Sequence, residues 1–123
     1  MINKRREKRF KEENRVVIQY AKANKDSVEY REANAFTHDI SLGGARIQVG
    51  QFFPVDSVIR IQINLSRSRE AIKVDGKVKW IRSIDGEDLY ELGVEFLHHI
   101  SKTILSLIWH LYGEDTGVPT SVS

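Results

Sequence analysis

Polar and apolar residues alternate at period two through much of this chain. Ile59-Arg60-Ile61-Gln62-Ile63-Asn64-Leu65 does so without a break, and Ala45-Arg46-Ile47-Gln48-Val49 repeats the pattern. Such alternation puts apolar side chains on one face of an extended strand, as a half-buried β-strand requires. Val16-Val17-Ile18-Gln19-Tyr20 opens the β-rich stretch, and Arg31 to His38 is assigned as a more polar strand. Two more strands fit Ile72–Ile84 and Leu89–Phe96, joined at Asp85-Gly86, a dipeptide suited to a tight turn. Gln51–Ser57, with Pro54, and Ser66–Glu70 read as connections.

The spacing changes near the C-terminus. Ile100, Ile104, Leu107, Ile108 and Leu111 recur at helical intervals, with Ser101 suited to cap the start and Gly113 the end. The apolar stripe of this helix must pack on the barrel or on a partner subunit. Glu114 to Ser123 carries no packing pattern and reads as a disordered tail. Short strands in series point to a mostly β fold, a six-stranded antiparallel sheet closed into a barrel, since closure removes exposed edges.

With 123 residues, 41% of them hydrophobic, the chain fits one domain with a small core. It has no cysteine, which excludes disulfides and thiolate metal sites. His38, His98, His99 and His110 show no metal-ligand spacing, so no metal site is expected. No apolar run is long enough to span a membrane and no leader-like segment follows Met1, so the expected location is cytoplasmic, without membrane insertion. Residues 1–15 hold seven basic and three acidic side chains, a balance of +4, while the remainder is −2. The expected organisation is a basic arm over 1–14, a barrel with its helix over 15–113, and a tail over 114–123. Such an arm is either a solvated tail or one wall of an anion site.

Two motifs bear on that choice. Arg5-Arg6-Glu7-Lys8-Arg9 is R-x-x-x-R, and Asp39-Ile40-Ser41-Leu42-Gly43-Gly44 is D-x-S-x-x-G. Guanidinium forks suit phosphate and the O6/N7 edge of guanine, while a carboxylate suits guanine's N–H donors. By itself D-x-S-x-x-G also fits a plain Asx-type turn between strands. Arg5 and Arg9 fall on one side of the arm whether it is helical or extended. Asp39 and Ser41 would share a strand face, with Gly44 giving the backbone room to turn or approach a ligand. Lys4 and Arg6 flank the arginines and Gly43 belongs to the turn. Arg46 either reaches the ligand or stands as an exposed strand arginine, and Trp80 is either a stacking wall or a rim aromatic. Alternation turns His38 away from Asp39.

The two motifs, with Lys73-Val74-Asp75-Gly76-Lys77-Val78-Lys79-Trp80 and Tyr90-Glu91-Leu92-Gly93-Val94-Glu95-Phe96, resemble the PilZ domain family over roughly Lys4 to Tyr112. The resemblance implies a split β-barrel of six strands with a C-terminal helix, and a bacterial receptor for the second messenger cyclic di-GMP. It implies Arg5, Arg9, Asp39, Ser41 and Gly44 as ligand-binding residues, with Lys4, Arg6, Gly43, Arg46 and Trp80 as further candidates. On this reading the arm orders over the barrel when ligand binds, and the signal passes to an unidentified downstream protein. No cofactor beyond that ligand is implied.

The alternatives are a PilZ-like protein-interaction adaptor that does not bind cyclic di-GMP and, more remotely, a barrel for single-stranded nucleic acid. The acidic balance of residues 16–123 disfavours a nucleic-acid polymer. Glu12 and Glu13 are expected to repel phosphate near the arm. A hydroxyl without a histidine base is a weak nucleophile, and no phosphate-binding Gly-lysine loop occurs, so no catalytic residue and no enzyme is expected.

Overall fold

The computed structural model describes residues 9–86, 88–97 and 107–111. The expectations for Lys4, Arg5 and Arg6, for the Ser101 and Gly113 caps and for the tail lie outside these residues. Seven strands occur in chain order: β1 Phe10–Lys11, β2 Arg15–Ala23, β3 Val28–Ile40, β4 Gly44–Val49, β5 Val58–Leu65, β6 Glu70–Ser83 and β7 Tyr90–Leu97. All pairings are antiparallel in the order β1-β3-β2-β5-β6-β7-β4, and a further β3–β4 pairing closes the sheet. The result is a six-stranded barrel with β1 as an extra strand.

The alternating residues fill the interior as their period requires. Ile47, Ile61, Ile63, Val78 and Leu92 are completely or almost completely buried, joined by Val16, Ile18 and Ile72. Residues 107–111 are helical, labelled α1, and Leu107 and Leu111 belong to the same core cluster. The stripe of α1 therefore packs on the barrel. At the β6–β7 connection Asp85 and Gly86 take φ of 52° and 68°, the left-handed conformation that an Asp-Gly turn favours.

β3 runs from Val28, three residues before the expected start, because β2 and β3 extend together as a hairpin paired from Arg15↔Phe36 to Ala23↔Val28. Much of this extension is exposed on both faces, so it shows no alternation in the sequence.

The arm from Arg9 onward lies on the barrel. Phe10 and Lys11 pair with Ile40 and Asp39 of β3. Downstream, the Thr37 hydroxyl donates to the Glu12 carbonyl at 2.6 Å and accepts from the Asn14 N–H at 2.9 Å. Asn14 is buried, and its Oδ1 accepts from the Ser66 N–H at 3.1 Å while its Nδ2 donates to Glu12 Oε1 at 2.9 Å. Glu12 turns from the anion side of the arm toward His110 of α1 and Arg67.

Burial pushes the Glu12 carboxyl up, yet hydrogen bonds from Asn14 and His110 and the charges of His110 and Arg67 outweigh it. The group titrates below its ordinary value of 4.5. A depressed carboxylate contributes stability above the unfolded value and loses it as pH falls through the folded one. Glu12→Gln is therefore expected to lower the urea midpoint at pH 7, and the gap from the parent should shrink steadily below pH 4.5.

Candidate ligand-binding site

Two β-bulges determine what faces outward beside β1. Along β3, Thr37 opposes Ile47 and Asp39 opposes Arg46, so His38 is an extra residue between them. Along β6, Val78 opposes Val94 and Trp80 opposes Gly93, which makes Lys79 the extra residue there. Each inserted residue resets the alternation by one. Thr37 and Ile40 point inward, while Asp39 is turned to the outer face; Val78 and Ile81 flank Trp80 in the same way. His38 shares the outer face with Asp39, contrary to the regular-strand expectation, and its Nε2 lies 2.7 Å from Gln48 Oε1.

The registers then place Asp39, Arg46, Gly93 and Trp80 in one row across β3, β4, β7 and β6. Asp39, only 6% exposed, accepts from Arg9 Nη1 through one oxygen and from Arg46 Nε through the other, both at 2.7 Å. Arg46 reaches on to Glu91 at 3.6 Å, and Glu91 accepts from Arg82 Nε at 2.8 Å. The chain Arg9–Asp39–Arg46–Glu91–Arg82 alternates in sign and carries one net positive charge. Both carboxylates are nearly buried and each is satisfied by two arginines, as buried charges must be.

Ser41 lies past the end of β3 and is fully buried. It does not share a strand face with Asp39. Its N–H donates to the Gly44 carbonyl at 2.8 Å, and its hydroxyl lies 3.3 Å from both that carbonyl and the Gly43 N–H. Within the turn it braces the backbone, the role a short hydroxyl side chain commonly takes. Gly43 accepts from the Phe96 N–H at 2.7 Å, tying the turn to β7. A Cβ on Gly44 would sit 2.1 Å from the Val94 carbonyl oxygen, so close strand packing requires this glycine.

Arg9, Gly43, Gly44, Lys79, Trp80 and Gly93 line an outward hollow of about 360 Å³. The indole of Trp80 lies over Gly93, whose missing side chain makes its seat. Trp80 remains 40% exposed, so an aromatic surface borders the hollow, while Asp39 lies two places beyond Gly93 in the row, past Arg46. Arg9, Asp39, Gly44, Gly43, Arg46 and Trp80 are thus brought together, with Ser41 beneath them. Glu91 and Arg82 were not picked out from the sequence. The available signal was a carboxylate directly before the uncharged Leu92-Gly93-Val94 run of β7, two residues from a glycine.

Among the described residues there is no cluster of His, Cys, Asp or Glu suited to a metal, and no helix is long and apolar enough to cross a membrane.

A small closed barrel with an outward, arginine-lined hollow beside its first strand is the class that fold and site define. The family model of the PilZ domain matches residues 3–113, and the chain belongs to that family. Similar solved structures include the Bacillus subtilis inhibitor of motility MotI/DgrA, at 16% identity and a TM-score of 0.68, with 96% of this chain and 54% of that one covered. The PilZ domain of Escherichia coli YcgR with c-di-GMP is 18% identical, with a TM-score of 0.61 and 94% of each chain covered. The K. pneumonia MrkH–c-di-GMP complex matches at 18% identity and a TM-score of 0.61, covering 96% of this chain and 57% of that one. This chain therefore spans little more than half the length of MotI/DgrA and MrkH. No curated protein matches it.

Proposed function

We propose that this protein is a receptor for cyclic di-GMP that binds the dinucleotide in the hollow beside Asp39 and signals through another macromolecule. The observation carrying this reading is the outward row of Asp39, Arg46, Gly93 and Trp80, closed at one end by Arg9. It offers a carboxylate, two guanidinium groups and an exposed indole within one surface. The family membership and the c-di-GMP complexes of YcgR and MrkH support the same ligand.

Binding is an exchange of partners. Asp39 passes from arginine donors to the N1–H and N2–H₂ donors of guanine, and Arg9 passes from that carboxylate to phosphate or the O6/N7 edge. Charged groups exchange one partner for another, so little new desolvation is required. Trp80 offers its face for stacking, and Arg5 joins Arg9 at the phosphates as the arm closes over the ligand. Ser41, Gly43 and Gly44 hold the turn that presents Asp39. No group here is set up as an activated nucleophile, which favours a receptor over an enzyme.

Calorimetric titration with cyclic di-GMP, with GTP as the control, tests the reading. Arg9→Ala is expected to weaken binding by about tenfold to over a hundredfold, the equivalent of ~1–3 kcal/mol for one bidentate guanine contact. Amide exchange across the arm should slow with saturating ligand. Absence of binding by the parent chain would turn attention to the adaptor reading.

A further inference from the structure

We infer that the C-terminal helix positions the ligand-binding arm, with His110 acting through Glu12 to hold Arg9 at the edge of the hollow. The inference rests on the proposed site and adds to it two residues that do not line the hollow. His110 is buried, and both ring nitrogens are engaged, Nδ1 with the Ser68 hydroxyl at 2.7 Å and Nε2 with Glu12 Oε1. Arg67 donates to the His110 carbonyl at 2.7 Å and lies 3.5 Å from Glu12 Oε2. Three separated parts of the chain, the arm, the β5–β6 turn and α1, therefore meet at one carboxylate.

The position of that carboxylate gives the junction its consequence. Glu12 follows Arg9 by three residues, on a segment whose β1 consists of only two. A two-residue strand is too short to hold its own register, so the downstream anchors bear on where Arg9 sits. Along the segment the anchors are the Phe10 contact with the core, the Thr37 and Asn14 bonds, and the Glu12–His110 pair. The last of these reaches the C-terminal helix directly. Linkage makes the effect reciprocal: ligand that draws on Arg9 also strengthens the docking of α1, which makes this helix the element that carries the signal outward.

The test uses His110→Ala, His110→Gln and Glu12→Gln in the full chain, each confirmed folded by its thermal transition. Amide exchange at Phe10 and Lys11 is read without ligand, so this part stands whether or not cyclic di-GMP binds. Exchange there is expected to quicken roughly tenfold in His110→Ala while β5 and β6 keep their protection, with His110→Gln recovering much of the loss. Affinity for cyclic di-GMP should fall by about the same factor in His110→Ala, and the added effect of Arg9→Ala should be smaller than in the parent. Should His110→Ala fail to fold, Glu12→Gln carries the same readings. Unchanged exchange at Phe10 and Lys11, or a uniform rise across the barrel, would overturn the inference. So would strict additivity with Arg9→Ala. A parent chain that does not bind cyclic di-GMP would instead overturn the proposed function, leaving the exchange result to decide the positioning role.

Discussion

Asp39→Ala is expected to reduce affinity for cyclic di-GMP by at least about a hundredfold, the largest effect of any single substitution in the hollow. The carboxylate would accept two hydrogen bonds from one guanine edge, and bonds to a charged group contribute ~1.5–3 kcal/mol each. Two such bonds amount to about a hundredfold or more in affinity. Stability should respond less. Arg9 is half exposed and returns to water, and Arg46 keeps Glu91 at 3.6 Å. Loss of the ion pairs is worth about 1–2 kcal/mol, between the exposed and buried cases. Calorimetry should therefore lose its signal while the thermal transition remains cooperative and only a few degrees lower. A variant that binds within threefold of the parent would remove Asp39 from the site.

The second large effect separates two glycines of the same hollow. At Gly44 an added Cβ meets backbone, the Val94 carbonyl oxygen at 2.1 Å, and at Gly93 it meets the Trp80 ring, with Nε1 at 2.0 Å and Cε2 at 2.2 Å. Backbone paired in a closed sheet has nowhere to go. Gly44→Ala is thus expected to cost stability, about 1–3 kcal/mol from strain and overpacking. The indole at Gly93 stands on two rotatable bonds and is already partly in solvent, so it swings away instead. Gly93→Ala should leave the melting temperature within a few degrees of the parent but lose the stacking surface. Base–aromatic stacking is worth roughly 1–3 kcal/mol, so affinity should fall at least about tenfold. With Trp109 of α1, the other tryptophan of the chain, replaced by phenylalanine, the Trp80 fluorescence should move to the red. A stable Gly44→Ala protein, or a Gly93→Ala protein with full affinity, would contradict this division of roles.

The contrast between these residues shows what the amino-acid pattern conveyed. β4 and β5 were legible because a core face alternates with a solvent face, and the six-stranded barrel and its helix follow from the same signal. The outer half of the β2–β3 hairpin was obscured because it has no buried face. β1 was missed because two residues carry no periodicity and the segment is held mainly by Thr37, Asn14 and Glu12, all polar. Among the described candidates Arg9 meets Asp39, and Arg9, Gly43 and Gly44 line one hollow. Two relations were hidden. Arg46 pairs with Asp39 across a strand boundary, and Glu91 acquires meaning only once β7 is laid against β4. Glu12 was expected to repel a ligand phosphate; it faces His110 instead, since the arm turns inward after Arg9.

The bulges at His38 and Lys79 add a consequence for lesions other than substitution. Removing His38 would leave Thr37 and Asp39 adjacent, still opposite the adjacent Ile47 and Arg46, so Asp39 would keep the outer face and Ile40 the inner one. Removing Lys79 would likewise leave Trp80 opposite Gly93 and facing outward, with Ile81 inward. Loss of either residue would straighten its strand locally without exchanging inside for outside along the rest of it. Each bulge is thus a spare residue, and the outward row of Asp39, Arg46, Gly93 and Trp80 is fixed by the pairing on either side of it.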